Sequence, residues 1–147
     1  MKNHNIKLDK SIVIALALLL AACNANIPAI EFGKDSCWFC KMTVIDKKFG
    51  AVLINSKGKA LKFDSGECMV AYLNADNTFQ ADKIMVVDYN TGKLIDAGKA
   101  FFLHGGTVNS PMGGRLAAFG TAPGAEQLQE KSGGDVLQWQ TVVKTKF

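Results

Sequence analysis

The sequence predicts an α+β domain, two related ββα units with mostly antiparallel strands packed into one body behind a cleavable leader. Three observations carry that prediction. Short apolar runs are separated by turn signals such as Asn55-Ser56-Lys57-Gly58 and Ser110-Pro111-Met112-Gly113-Gly114, the pattern of hairpins. Two stretches, one after Asp64-Ser65 and one at Pro123-Gly124-Ala125-Glu126, open with helix-start chemistry. Finally, Gly58–Phe63 overlays Gly114–Phe119 at a shift of 56 positions, so a strand–turn–strand–helix unit is expected twice, over 43–74 and 99–132.

The elements follow in order. Residues 1–22 begin with Lys2, Lys7 and Lys10 and continue into an apolar run, SIVIALALLLAA, of about a dozen residues. That is too short for a bilayer-crossing helix, which needs about 20 apolar residues. It reads as a secretory signal. Its exit, Leu20-Ala21-Ala22-Cys23, is similar to a bacterial lipobox, whose cysteine is acylated and becomes the new N-terminus. Cys23 is therefore the expected lipidation site. Asn24 follows where an aspartate would suggest inner-membrane retention, which favours the outer membrane in a Gram-negative cell. Residues 23–36 read as a lipidated tether, and 37–147 as the folded domain.

Within that domain, Thr43–Asp46 is a β-type stretch, and Phe49–Ile54 and Lys59–Phe63 pair across a turn. Asp64 or Ser65 caps a helix to about Leu73. Lys83–Asp88 and Lys93–Ala97 form strands around Asn90-Thr91-Gly92. Ala100–His104 and Arg115–Phe119 repeat the hairpin, a helix runs to about Lys131, and Val136–Val143 closes the chain as a strand or tail. Roughly 110 residues suffice to bury a core without a metal as the main source of stability.

Composition narrows the function classes. The chain has 147 residues and a net charge of +4, half of which leaves with the leader. The near-neutral remainder gives no electrostatic case for nucleic acid. No Ser/His/Asp set, phosphate-binding glycine loop or carboxylate pair is present, so hydrolase and nucleotide chemistry have no support. An extracytoplasmic domain sits where thiols are normally oxidised. Yet Cys37, Cys40 and Cys68 remain after Cys23 is set aside, an odd number, so at least one thiol is unpaired or a ligand.

Cys37-Trp38-Phe39-Cys40-Lys41-Met42 is the most informative segment. Two thiolates three apart converge on one ion or form a disulfide, and the Met42 thioether follows on the same turn. Soft sulfur donors of this kind favour Cu(I). Three alternatives stand beside it. A zinc site could draw on Cys37, Cys40, Cys68 and a histidine, although a second CxxC or an HxxxH is missing. A thiol–disulfide redox pair would place CxxC in a βαβ context, whereas here it precedes a hairpin. A structural disulfide is the plainest. Met112, between Pro111 and Gly113-Gly114, is presented by an exposed turn and suits a ligand or docking role better than core filling. His104, at a strand end, and Cys68, in a helix, are possible additional ligands; Cys68 is otherwise a small buried hydrophobe. Met69 and Met85 read as core, His4 leaves with the leader, and Asp64 reads as an N-cap. Trp38 and Phe39 could shield the cysteine sulfurs or face a partner.

CWFCKM, then FGAVLI, then KFDSGECMVAYL, then SPMGGRLAAF, behind a lipobox, resembles the NosL family of copper-chaperone lipoproteins serving nitrous oxide reductase maturation. The resemblance spans residues from about 33 to 137. It implies a non-enzymatic, membrane-anchored, extracytoplasmic chaperone of the denitrification system that takes Cu(I) as cargo and has no small-molecule substrate. The acceptor it implies is nitrous oxide reductase or its membrane-associated maturation complex. It also implies that copper is held by the CxxCxM residues Cys37, Cys40 and Met42 together with Met112. Lys41 departs from the family pattern, in which a glycine is common there.

Overall fold

The computed structural model describes residues 27–75 and 78–147. The leader, the lipobox and Cys23 lie outside the described residues, as does His4. Among the described residues, seven strands form two antiparallel sheets. In the first, β1 (Ala51–Ile54) pairs with β2 (Ala60–Phe63) on one side and β3 (Lys83–Val87) on the other, and β3 pairs onward with β4 (Leu94–Asp96). In the second, β5 (Phe101–His104) is central, between β6 (Leu116–Phe119) and β7 (Asp135–Gln138). Helix α1 (Gly66–Ala75) follows β2 and helix α2 (Ala122–Ser132) follows β6. Each half therefore runs strand, strand, helix, strand with the first strand in the centre, so the expected ββα unit carries one further strand.

Burial explains why two of the strands, β1 and β6, read as continuous apolar runs. All four residues of β1 are buried, as are all four of β6. Period-two side chains on β6 serve two cores. Leu116 and Ala118 join the main core, with Phe63, Met69 and Phe102, whereas Ala117 and Phe119 join a second core with Phe49, Leu103 and Ala125. Met69 and Met85 are core residues, as the sequence suggests. Beyond β3, the Asp88 carboxylate takes N–H bonds from Asn90, Thr91 and Gly120, and Tyr89 N–H donates to Ala118 O at 2.8 Å. The bonds to Gly120 and Ala118 join the sheets.

Three local expectations change. Thr43–Asp46 is not a strand: Thr43 makes one isolated bridge to Ser36, Val44 turns into the core, and Asp46 Oδ1 accepts Lys48 N–H in a turn. Val136–Val143 divides into β7 and a short helix, α3 (Trp139–Val142), which seats Val142 in the core. The later part of the expected tether is integrated. Ile30 is buried, Phe32 packs on the core, and Asp35 pairs with Lys62 at 2.6 Å.

Candidate metal centre

Two chain segments build the centre. The first is a tight loop closed by the Ser36–Thr43 bridge, in which Cys37 N–H donates to Met42 O at 2.8 Å and Lys41 N–H to Cys37 O at 3.0 Å. Closing so short a loop requires a left-handed residue, and Lys41 takes that role at φ +67°. This conformation costs an L side chain about 1 kcal/mol or more, which is the physical reason a glycine suits the position. Lys41 Nζ folds back, donating to Trp38 O at 2.6 Å and lying 4.9 Å from the Trp38 ring centre. Trp38 N–H donates to Lys62 O at 2.8 Å, which fastens the loop to β2.

The second segment is the β2–α1 junction. Ser65 Oγ accepts Cys68 N–H at 3.3 Å and so caps the helix. Asp64, expected as a cap, has another place. It is 3% exposed, and its Oδ1 has no hydrogen-bond partner. It stands with Cys37, Cys40 and Cys68 as a quartet whose donor atoms all lie within 4.8 Å of one another. Cys37, Cys68 and Asp64 are buried, Cys40 is half-buried, and the three cysteines are free.

The quartet sets its own protonation pattern. The Cys68 thiol donates to the Cys37 sulfur. Backbone groups of Asp64, Cys40 and Phe39 also hydrogen-bond it, and together these outweigh burial and bring the Cys37 pKa down to about 6. Cys68 is pushed up, first by that same hydrogen bond, then by burial and by Asp64. Burial is the main reason Cys40 is also raised, and Cys37 adds to it. Cys37 is thus the thiol of the three whose deprotonation its neighbours favour. A cation entering the cluster displaces the remaining protons.

Met42 is 56% exposed and Met112 is 43% exposed. Met112 lines a cavity of about 100 Å³ with Phe39, Glu67, Cys68, Gly114 and Phe147, so Cys68 forms one wall and Met112 another. Met42 lines a separate groove with Asp64 and Pro111. His104 is not in the quartet; its ring meets Phe147 edge-on at 5.5 Å between centroids. Trp38, Phe39 and Ile45 are also exposed. The structure thus joins Cys37, Cys40 and Cys68 and adds Asp64, sets Met112 on the same cavity as Cys68 and Met42 on the same groove as Asp64, and leaves His104 outside the quartet. Asp64 carries no signal in spacing; a carboxylate at a helix start is indistinguishable from a cap until its neighbours are known.

The NosL family's sequence profile matches residues 30–147. Among solved structures, the crystal structure of the copper chaperone NosL from Shewanella denitrificans is similar. The TM-score is 0.64 at 23% identity, over 77% of this chain and 92% of that one. No match was found among curated proteins.

Proposed function

This chain belongs to the NosL family, and on that footing we propose that it is a copper chaperone, anchored to the membrane through Cys23 and working outside the cytoplasm. Its cargo is Cu(I). The observation that carries this reading is the cavity that links a cysteine cluster to the surface, with Cys68 on one wall and the thioether of Met112 on the other. Soft donors of both kinds face one small, partly apolar space, which selects a soft monovalent ion by ligand type.

Binding begins at the exposed methionines, which meet the ion without losing a proton. The Cys37 thiolate supplies charge, and its neighbours give up protons as the ion settles. A site with few donors leaves room for a ligand from the acceptor, so release proceeds through a shared-ligand state. No covalent bond is made or broken by the protein, which is therefore a carrier and not an enzyme. The lipid anchor raises its effective concentration near an acceptor at the same membrane. That acceptor is the nitrous oxide reductase maturation machinery, in keeping with the family resemblance.

A second reading concerns the quartet itself. Three thiolates and a buried carboxylate form a four-ligand set, and the hard Asp64 oxygen suits zinc better than Cu(I). The unpartnered Asp64 Oδ1 favours this reading. A redox enzyme is less favoured, because Cys37 and Cys40 sit on a loop between bridged residues and not at a helix N-terminus in a βαβ unit.

The test is an anaerobic Cu(I) titration against a competing chelator on the reduced mature chain. One tight equivalent is expected, weakened by about tenfold or more in Met112→Ala with the fold intact. Binding indifferent to Met112 sinks the two-segment copper site. Metal analysis of the protein as isolated separates the second reading: bound zinc lost in Asp64→Asn supports it.

A further inference from the structure

Glu67 precedes Cys68 in the first turn of α1 and is 1% exposed. Its Oε1 accepts the hydroxyl of Ser110, 43 residues away, and the Leu116 N–H at 3.3 Å. Ser110 Oγ in turn accepts Arg115 N–H at 2.8 Å. One carboxyl group therefore holds both ends of the turn 110–115, whose tip is Met112. The turn is shaped to lie against it: a Cβ added at Gly114 would come within 2.6 Å of Glu67 Cγ, and Arg115 is held at φ +58°. The other oxygen, Oε2, is buried without a partner. Burying a half-satisfied carboxyl is costly, and an apolar side chain would pack the same space at less cost. The group is poorly explained by stability alone.

We propose that Glu67, through Ser110, is a positioning residue that holds the Met112 thioether over the cavity shared with Cys68. The helix that carries Cys68 and the turn that carries Met112 are thereby locked together, so the two sulfur donors from distant parts of the chain keep one spacing. A preset spacing lowers the ordering cost of binding. The inference rests on Met112 serving as a copper ligand.

The experiment compares four forms of the mature chain: wild type, Ser110→Ala, Met112→Leu and the double variant. Cu(I) affinity by chelator competition is expected to fall about tenfold in Ser110→Ala, the scale of a lost supporting contact. In the Met112→Leu background the same change should cost less than about twofold, because nothing remains to be positioned. An equal loss in both backgrounds overturns the inference, since a merely structural role would act in both. Methyl-labelled methionine spectra of the metal-free protein give a second readout. The Met112 methyl should shift or broaden in Ser110→Ala and Glu67→Leu while Met69 stays, and Glu67→Gln, which keeps the Oε1 acceptor, should restore it. A Met112 methyl unmoved by these changes overturns the latch directly. If Met112→Leu leaves affinity unchanged, the copper role of Met112 fails, and the methyl spectra still decide whether the latch exists.

Discussion

In the first half of the domain, Ser65 Oγ accepts Cys68 N–H to start a helix; in the second, Thr121 Oγ1 accepts Gly124 N–H in the same way, 56 positions later at both ends. Strands β2 and β6, which lead into these helices, keep that offset as well. What the two halves carry is different. Where the first has Asp64, Glu67 and Cys68, the second has Gly120, Pro123 and Gly124. Helix α1 buries six residues, from Gly66 to Tyr72, whereas Ala125 is the buried residue of α2. The first half carries the buried Asp64 and Cys68 of the quartet, and the second carries one exposed methionine on a turn. The contrast teaches that the scaffold and the chemistry separate. A cap, two paired strands and a helix do not make a metal centre. A candidate centre also needs the donors gathered at the β2–α1 junction and on the cysteine loop beside it.

Several variants would sharpen or break this contrast. The largest effect is expected from Cys37→Ser combined with Cys40→Ser, which should cost metal affinity about a hundredfold or more. The corresponding junction in the second half, altered as Thr121→Ala, should leave affinity within about twofold. That variant loses only a cap, about 1 kcal/mol by chemical denaturation. Ser65→Ala should cost a similar stability, yet it should also weaken metal binding, because the lost bond orients the Cys68 backbone. Equal metal affinities in Ser65→Ala and Thr121→Ala would break the contrast.

The next effect is a pH dependence. Folding lowers the Cys37 pKa from 9.0 to about 6. Its thiolate therefore stabilises the fold in full above pH 9, and this contribution fades as pH falls from 9 to 6. The stability gap between wild type and Cys37→Ser should grow as pH rises from 6 to 9 in metal-free protein. Thiolate absorbance at 240 nm should show one step near pH 6 that is missing in Cys37→Ser. A first step near 9 would contradict the hydrogen bonding described for the quartet.

The smallest effect concerns the two basic residues at positive φ, Lys41 at +67° and Arg115 at +58°. One closes the cysteine loop and the other ends the Met112 turn. Replacing either by glycine relieves the left-handed strain but loosens the unfolded chain, so a net gain of about 0.5 kcal/mol is expected in a thermal melt. Lys41→Val should destabilise by more than that, because a β-branched side chain tolerates the region poorly.

Much of this protein is written locally. Alternation and turn residues mark the paired strands. Ser65 and Pro123 mark helix starts, and Cys37-Trp38-Phe39-Cys40-Lys41-Met42 announces a soft-metal segment because its donors are adjacent in the chain. The offset of 56 is visible in two short strands. The membership of the quartet is not written this way. Cys68 stands 31 positions beyond Cys37 and lies in a run that reads equally well as core. Asp64 has the identity of a cap and is displaced from that role by its neighbour Ser65. Glu67 looks like an ordinary first-turn acid until Ser110 is folded against it. Spacing reports what one element presents; it cannot report which elements meet. Those meetings depend on how β2, α1 and the turn 110–115 pack around a common core, and only the tertiary structure decides that.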